Sequence, residues 1–165
     1  MTPTDKDLAE FARLGLEYKL LGLPNLVAWG DEVIESRDDP PTWALDLSMV
    51  PNVETAVTVL NEMQWERGTI TPGLATEMLA QLTRREWVFG KIGWRIVLTI
   101  FWNVDFWSVE MSVGRCANYR LLASQLSYYS EEFEGGNMTE RQINDAVDDF
   151  FWELNTAIAP LPTWV

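Results

Sequence analysis

The chain has 165 residues and carries 25 Asp and Glu against 12 Lys and Arg, a formal net charge of −13, with one cysteine and no histidine. Without histidine there is no Ser-His-Asp or Cys-His nucleophilic apparatus, no His-ligated zinc, no His-containing facial triad and no Glu-x-x-His di-iron half-site. The lone Cys116 cannot make an internal disulfide, a CxxC redox pair or a thiolate zinc site, so stability must come from a core.

Taken in order, the pattern is helical nearly throughout. Leu8, Phe11, Ala12, Leu14, Tyr18 and Leu21 keep a spacing of three and four, which predicts a first amphipathic helix over 4–21. Gly22 and Pro24 are expected to end it and start the next. That second helix has Leu26, Val27, Trp29, Val33 and Ile34 inward, with Asp31, Glu32, Glu35 and Asp38 outside. Pro40 and Pro41 break the chain, and Pro41 opens a short helix over 42–48.

A fourth helix is expected over 53–66, with Ala56, Val57, Leu60 and Met63 inward. Thr71 as cap and Pro72 as first helical residue then introduce a helix carrying Leu74, Met78, Leu79 and Leu82, whose end Gly90 and Gly93 blur. Segment 94–112 is rich in residues that favour strands. At helical spacing, however, Ile96, Val97, Ile100, Phe101, Val104, Trp107 and Met111 form one stripe, while Arg95, Thr99, Asn103 and Glu110 fall opposite. At period two both faces are mixed, so helix is the better reading and β the alternative. Trp102 and Phe106 lie off the stripe, so this helix is either central to the fold or covered by a partner, and central is preferred.

Asn118 to Phe133 reads as a helix with Leu121, Leu122, Leu126 and Tyr129 on one side, ending at Glu134 and the two glycines. The acids Glu131, Glu132 and Glu134 oppose the dipole at that end, which implies a shortened helix or a compensating interaction. Thr139 and Gln142 have the capping-box spacing, and Ile143, Ala146, Val147, Phe150, Phe151 and Leu154 form the face of a last helix. After Pro160 and Pro162, Trp164 is expected to dock back or to reach another chain. The sum is an all-α fold: one acidic domain over 1–165, a bundle or irregular array of about seven to eight helices. A chain this long buries roughly 68–70% of its unfolded surface, enough for one core.

Charge is uneven along this chain. Residues 1–66 net −9, residues 67–127 net +3, and residues 128–165 net −7; the middle part holds Trp87, Trp94, Trp102 and Trp107 of the nine tryptophans. That distribution points to a central core flanked by acidic amphipathic helices.

Function narrows by exclusion. The apolar run from Ile96 to Trp102 is far shorter than the ~20 residues a membrane span requires. Residues 1–7 lack an apolar targeting core, so a soluble, cytoplasmic protein is expected. The glycosylation pattern at Asn137 then reads as chance. Arg84 and Arg85 are too little for a nucleic-acid footprint, and the net charge repels phosphate. Gly68, Gly73, Gly90 and Gly93 make no phosphate loop, and Cys116 reads as a buried small hydrophobe rather than a reactive thiol.

Carboxylates are the plentiful resource. Glu32, Glu35 and Asp38 lie at i, i+3, i+6, and Asp145 and Asp148 at i, i+3 beside Asp149. All-α nucleotide pyrophosphohydrolases hold Mg²⁺ with paired acids on two helices, but here the second pair is loose and that pattern is incomplete. No cofactor and no catalytic residue is expected. The leading expectation is a non-enzymatic, bacterial-type protein-binding module, of the immunity-protein or DNA-mimic inhibitor kind. It would meet a basic protein through Asp31, Glu32, Glu35, Asp38, Asp145, Asp148 and Asp149. The alternatives are a Mg²⁺-dependent hydrolase using Glu32, Glu35, Asp38, Asp145 and Asp148, or a homo-oligomer, such as a homodimer, with tryptophans at the subunit interface. Neither nucleic acid nor membrane is an expected partner.

Overall fold

The computed structural model describes residues 2–65, 73–103, 117–154 and 160–165, which hold eight α-helices and no strand. The fold is therefore all-α, and among the described residues no helix is long and apolar enough to cross a membrane. Two compact units are present: residues 1–71 with 160–165, and residues 72–159.

In the first unit, α1 (Asp5–Glu17) opens with a reciprocal cap. The Asp7 backbone N–H donates to Thr4 Oγ1 at 3.2 Å, and the Thr4 backbone N–H donates to Asp7 Oδ2 at 2.8 Å. The Asp7 carboxylate is wholly buried. The helix stops at Glu17, four residues earlier than the periodicity implies, because Lys19 turns left-handed at φ 58°. Its N–H donates to Leu16 O and that of Leu20 to Gly15 O, which satisfies two of the last carbonyls. Leu21 is buried all the same, folding back against Gly15 after the helix has ended.

The second helix, α2 (Leu23–Ser36), starts at Gly22, whose N–H donates to Asn25 Oδ1 at 3.0 Å; Pro24 sits in its first turn. Its neighbour α3 (Thr42–Ser48) follows Pro41 as expected and packs on α2. Gly30 is what permits that approach: a Cβ there would stand 2.7 Å from Ser48 N and 2.8 Å from Ala44 O. The fourth helix, α4 (Val53–Trp65), packs on α1, with Ala56, Val59, Leu60 and Met63 buried; Val57, expected inward, is only half-buried.

Residues 160–165 complete this unit's core. Trp164 is 7% exposed and stacks on Trp29 at 5.2 Å between centroids and 17° between planes. Trp43 and Phe11 enclose the pair, at 5.0 Å from Trp29 and 5.8 Å from Trp164. Asn25 Nδ2 donates to Trp164 O at 3.2 Å, so one asparagine serves both the start of α2 and the returning segment. Of the two expectations for Trp164, docking back is the one realised.

The second unit holds α5 (Leu74–Val88), α6 (Trp94–Asn103), α7 (Ala117–Glu134) and α8 (Glu140–Glu153). Leu74, Met78, Leu79 and Leu82 of α5 are buried as their spacing predicts, and the helix ends with Gly90 left-handed at φ 67°. Thr71 and Pro72, the expected start signals, lie outside the described residues, as do 104–112, Cys116 and the side chains of Leu121 and Leu122.

Segment 94–103 is helical, so period outweighs β-propensity. Trp94, Val97, Ile100 and Phe101 are buried, whereas Ile96, expected inward, is exposed. Phe101 meets Phe150 and Phe151 of α8 edge-on at 4.6 and 5.9 Å, and Ile143, Val147 and Leu126 join the same core. The end of α7 is not shortened. Arg95 stacks 4.4 Å over Trp94 and lies 3.7 Å from Glu134, supplying the compensating cation that the acidic end requires. The capping box of α8 is present: Gln142 N–H donates to Thr139 Oγ1 at 3.4 Å and Thr139 N–H to Gln142 Oε1 at 2.8 Å.

Candidate functional site

The acids flagged by spacing fall into two sets, one in each unit, and every one of them is solvent-exposed. In the first unit Asp31 accepts a short hydrogen bond from the Ser48 hydroxyl. Glu32 accepts one from Thr163 at 2.6 Å, which ties α2 to the returning segment beside Trp164. Glu35 stands at the solvent face of α2 and Asp38 in the connection after it. Two of these four carboxylates therefore serve the packing of their own unit. A cleft of about 360 Å³ lies beside them, walled by Leu8, Trp29, Val33, Leu161 and Trp164. At its rim Arg37 pairs with Asp5 at 2.9 Å.

The second unit places its acids differently. Asp148 accepts a hydrogen bond from Trp87 Nε1 at 2.7 Å, which fixes α8 to α5. Asp145 and Asp149 instead line a groove of about 440 Å³ between α7 and α8. Glu153 continues their line at i, i+4, i+8, so three carboxylates run along one wall. At 1.5 Å per residue that wall extends ~12 Å, a little over two helical turns. Leu126 and Phe150 are its buried apolar floor, Tyr129 and Met138 are half-buried beside them, and among the described residues no lysine or arginine lines it. Gln125 and Gln142 supply amide donors at its edges. Along the same α8 ridge, three residues after Asp149 and seven after Asp145, Trp152 is 77% exposed.

The spacing of acids singles out Asp145, Asp148 and Asp149 but not Glu153, and Trp152 enters only with the other tryptophans as a candidate interface residue. The i+4 step from Asp149 to Glu153 was the available signal for the first. For Trp152 the signal was its place on the polar side of a helix whose apolar face was already complete.

Among the described residues no group of three or more acidic or thiol side chains comes together in a way that could hold a metal ion. Glu32, Glu35 and Asp38 do not form such a group, nor do Asp145 and Asp148. Among the described residues two titrations are shifted, both on or beside α1. Arg13 is raised, chiefly by its hydrogen bond to Glu10 and then by the charges of Glu10 and Glu17 against the opposing effect of burial. Burial pushes the Tyr18 phenol up, and the neighbouring Glu17 charge adds to it. Neither residue lines either of these two clefts.

The chain matches no protein-family model, no curated protein and no solved structure.

Proposed function

We propose that the chain is a non-enzymatic binding module of the cytoplasm, bacterial in type, that recognises a basic protein through its acidic surface. The observation that carries the reading is the placement of the flagged carboxylates: all seven face solvent. Catalytic acids are characteristically held in a desolvated cleft, where their protonation can be tuned. Exposed carboxylates act at longer range instead, raising the association rate with cationic partners and discouraging anionic ones. With a net charge of −13 the chain repels nucleic acids and anionic lipid surfaces, which leaves basic proteins as the favoured class.

The test is affinity for basic proteins measured over a range of salt concentration. A dissociation constant that weakens steadily as salt rises is expected, because screening shortens the reach of exposed charge. Binding insensitive to salt would remove the electrostatic part of the reading. Titration with Mg²⁺ and Mn²⁺ in a calorimeter should give no saturable heat; saturable binding would replace this reading with a metal-dependent one.

Self-association is a second reading, favoured by Trp102, which is 69% exposed on α6. Sedimentation at micromolar concentration separates the two, since a binding module of the first kind stays monomeric without its partner.

A further inference from the structure

We propose that the groove between α7 and α8 is a docking site for an amphipathic basic helix of another protein. Its lysines or arginines would lie along the Asp145, Asp149 and Glu153 wall and its apolar side against the floor, with Trp152 closing over one edge. This rests on the reading of the chain as a binder of basic proteins, and it names the surface and the chemistry of the partner.

Three features of the groove select that occupant. First, its charge has one sign: among the described residues three carboxylates and no cation line it. A second copy of this chain, a nucleic acid and an anionic membrane are all disfavoured by that sign, since each is net negative. Second, the carboxylates repeat every four residues, so they present charge with the pitch of a helix. A partner helix with cations at i, i+4 and i+8 meets all three at once and can turn an adjoining apolar stripe to the floor, whereas a strand, whose alternate residues at ~6.6 Å nearly match the charge spacing, points its other side chains directly away from its cations and so off the floor. Third, apolar groups lie within reach of the charges. Leu126 and Phe150 form the floor and Tyr129 and Met138 extend it, while Trp152, outside the lining, is exposed on α8 three residues after Asp149.

An amphipathic helix in a groove uses both kinds of contact, and an exposed tryptophan beside such a groove is the residue type that most often dominates binding. Asp148 takes no part, because Trp87 holds it toward α5. The same division separates the α2 acids from the α8 acids: Asp31 and Glu32 answer to Ser48 and Thr163 within their own unit.

The experiment uses the full chain and a labelled Leu–Lys peptide of about three helical turns with lysine at i, i+4 and i+8. A scrambled isomer of the same composition, which cannot form an amphipathic helix, is the comparison. Fluorescence anisotropy at low salt should show the helical peptide binding at least ~10-fold more tightly than its isomer. Trp152→Ala should weaken it by roughly 10–30-fold, the size of an interface anchor. The triple variant Asp145→Asn, Asp149→Asn, Glu153→Gln should weaken it by about 10-fold and flatten its salt dependence. A triple variant of equal charge in the other unit, Glu35→Gln, Asp38→Asn, Asp39→Asn, should leave it within about 2-fold. All substituted residues are exposed, so unchanged circular dichroism is expected for each variant.

If the isomer binds as well as the helical peptide, or the Glu35, Asp38 and Asp39 variant loses as much as the α8 variant, the groove is not the site and the general acidic reading stands. If neither peptide binds at low salt, both the groove and the wider reading fall.

Discussion

Trp164 and Trp152 set the two units apart. Each of these tryptophans lies near a helix bearing spaced carboxylates, and the two meet opposite fates. Trp164 is 7% exposed, stacked on Trp29 and held through its carbonyl by Asn25, with Glu32 gripping the adjacent Thr163. Trp152 is 77% exposed on α8, the helix whose Asp145, Asp149 and Glu153 line the groove. In the first unit acid and aromatic are spent on closing the unit's own core. In the second the core is complete without them, its Phe101, Phe150 and Phe151 already packed together. Asp31 and Glu32 therefore meet partners within their own unit, as Asp148 does through Trp87, whereas Asp145 and Asp149 stay at the groove. What separates them is whether another segment of the chain arrives to use them.

The largest effect that tests this contrast is a pair of truncations read by urea unfolding. Trp164→Ala removes a buried ring from between Trp29 and Phe11 and should cost about 3–5 kcal/mol, the usual range for a large aromatic replaced in a core. Trp152→Ala should stay within about 0.5 kcal/mol of the parent, as exposed substitutions do. A loss of stability at Trp152 comparable to that at Trp164 would erase the distinction.

Gly30→Ala is expected next. The added methyl would sit 2.7 Å from Ser48 N and 2.8 Å from Ala44 O, backbone atoms that cannot swing aside. Moving α3 off α2 should cost about 1–3 kcal/mol, as overpacking does, despite alanine's better helix propensity. A rise in midpoint would show that α2 and α3 have slack between them. Thr139→Ala tests the other unit, at the start of the helix that carries the groove acids. Losing the bond from Gln142 N–H should cost about 1 kcal/mol. The loss should fray the first turn of α8, seen as faster amide exchange at residues 140–143, while leaving amide exchange in α2 unchanged.

Much of the fold was legible because its signals are local. The Thr139 and Gln142 cap, the break at Pro40 and Pro41, and the buried faces of α5 and α8 depend on residues within a few positions of each other. The same holds for reading 94–103 as helix, where period decided against composition. The Thr4 and Asp7 cap escaped notice because aspartate replaces the glutamate or glutamine of the usual pattern. The site was half legible. Spacing found Asp145, Asp148 and Asp149, yet it gave them one role, whereas Trp87 from α5 takes Asp148 and leaves the other two at the groove. Spacing likewise put Asp31 and Glu32 on an outer face without showing that Ser48 and Thr163 come to meet them. Such assignments depend on contacts between distant segments, and no window of sequence contains them.

Helix ends give the finest version of the comparison and the smallest expected effect. The ends of α1, α5 and α7 share one geometry: a left-handed residue whose N–H, with that of its successor, reaches back to two terminal carbonyls. In the second unit that residue is Gly90 at φ 67° and Gly136 at φ 77°. In the first it is Lys19 at φ 58°, which explains why α1 was expected to run on to residue 21. A side chain in this conformation costs about 1–2 kcal/mol, because Cβ crowds the following carbonyl oxygen. Glycine removes that cost but gives back roughly 0.5–1 kcal/mol through the greater freedom of its unfolded chain. Lys19→Gly should therefore stabilise the protein by about 0.5–1 kcal/mol, seen as a higher urea midpoint with an unchanged slope. The reverse changes, Gly90→Lys and Gly136→Lys, should each lower the midpoint by a similar amount, since a Cβ at either glycine meets nothing within 4 Å and only the backbone cost remains. If Lys19→Gly lowered the midpoint instead, the lysine side chain would be contributing more than its strained backbone costs, and the end of α1 would be held by that side chain.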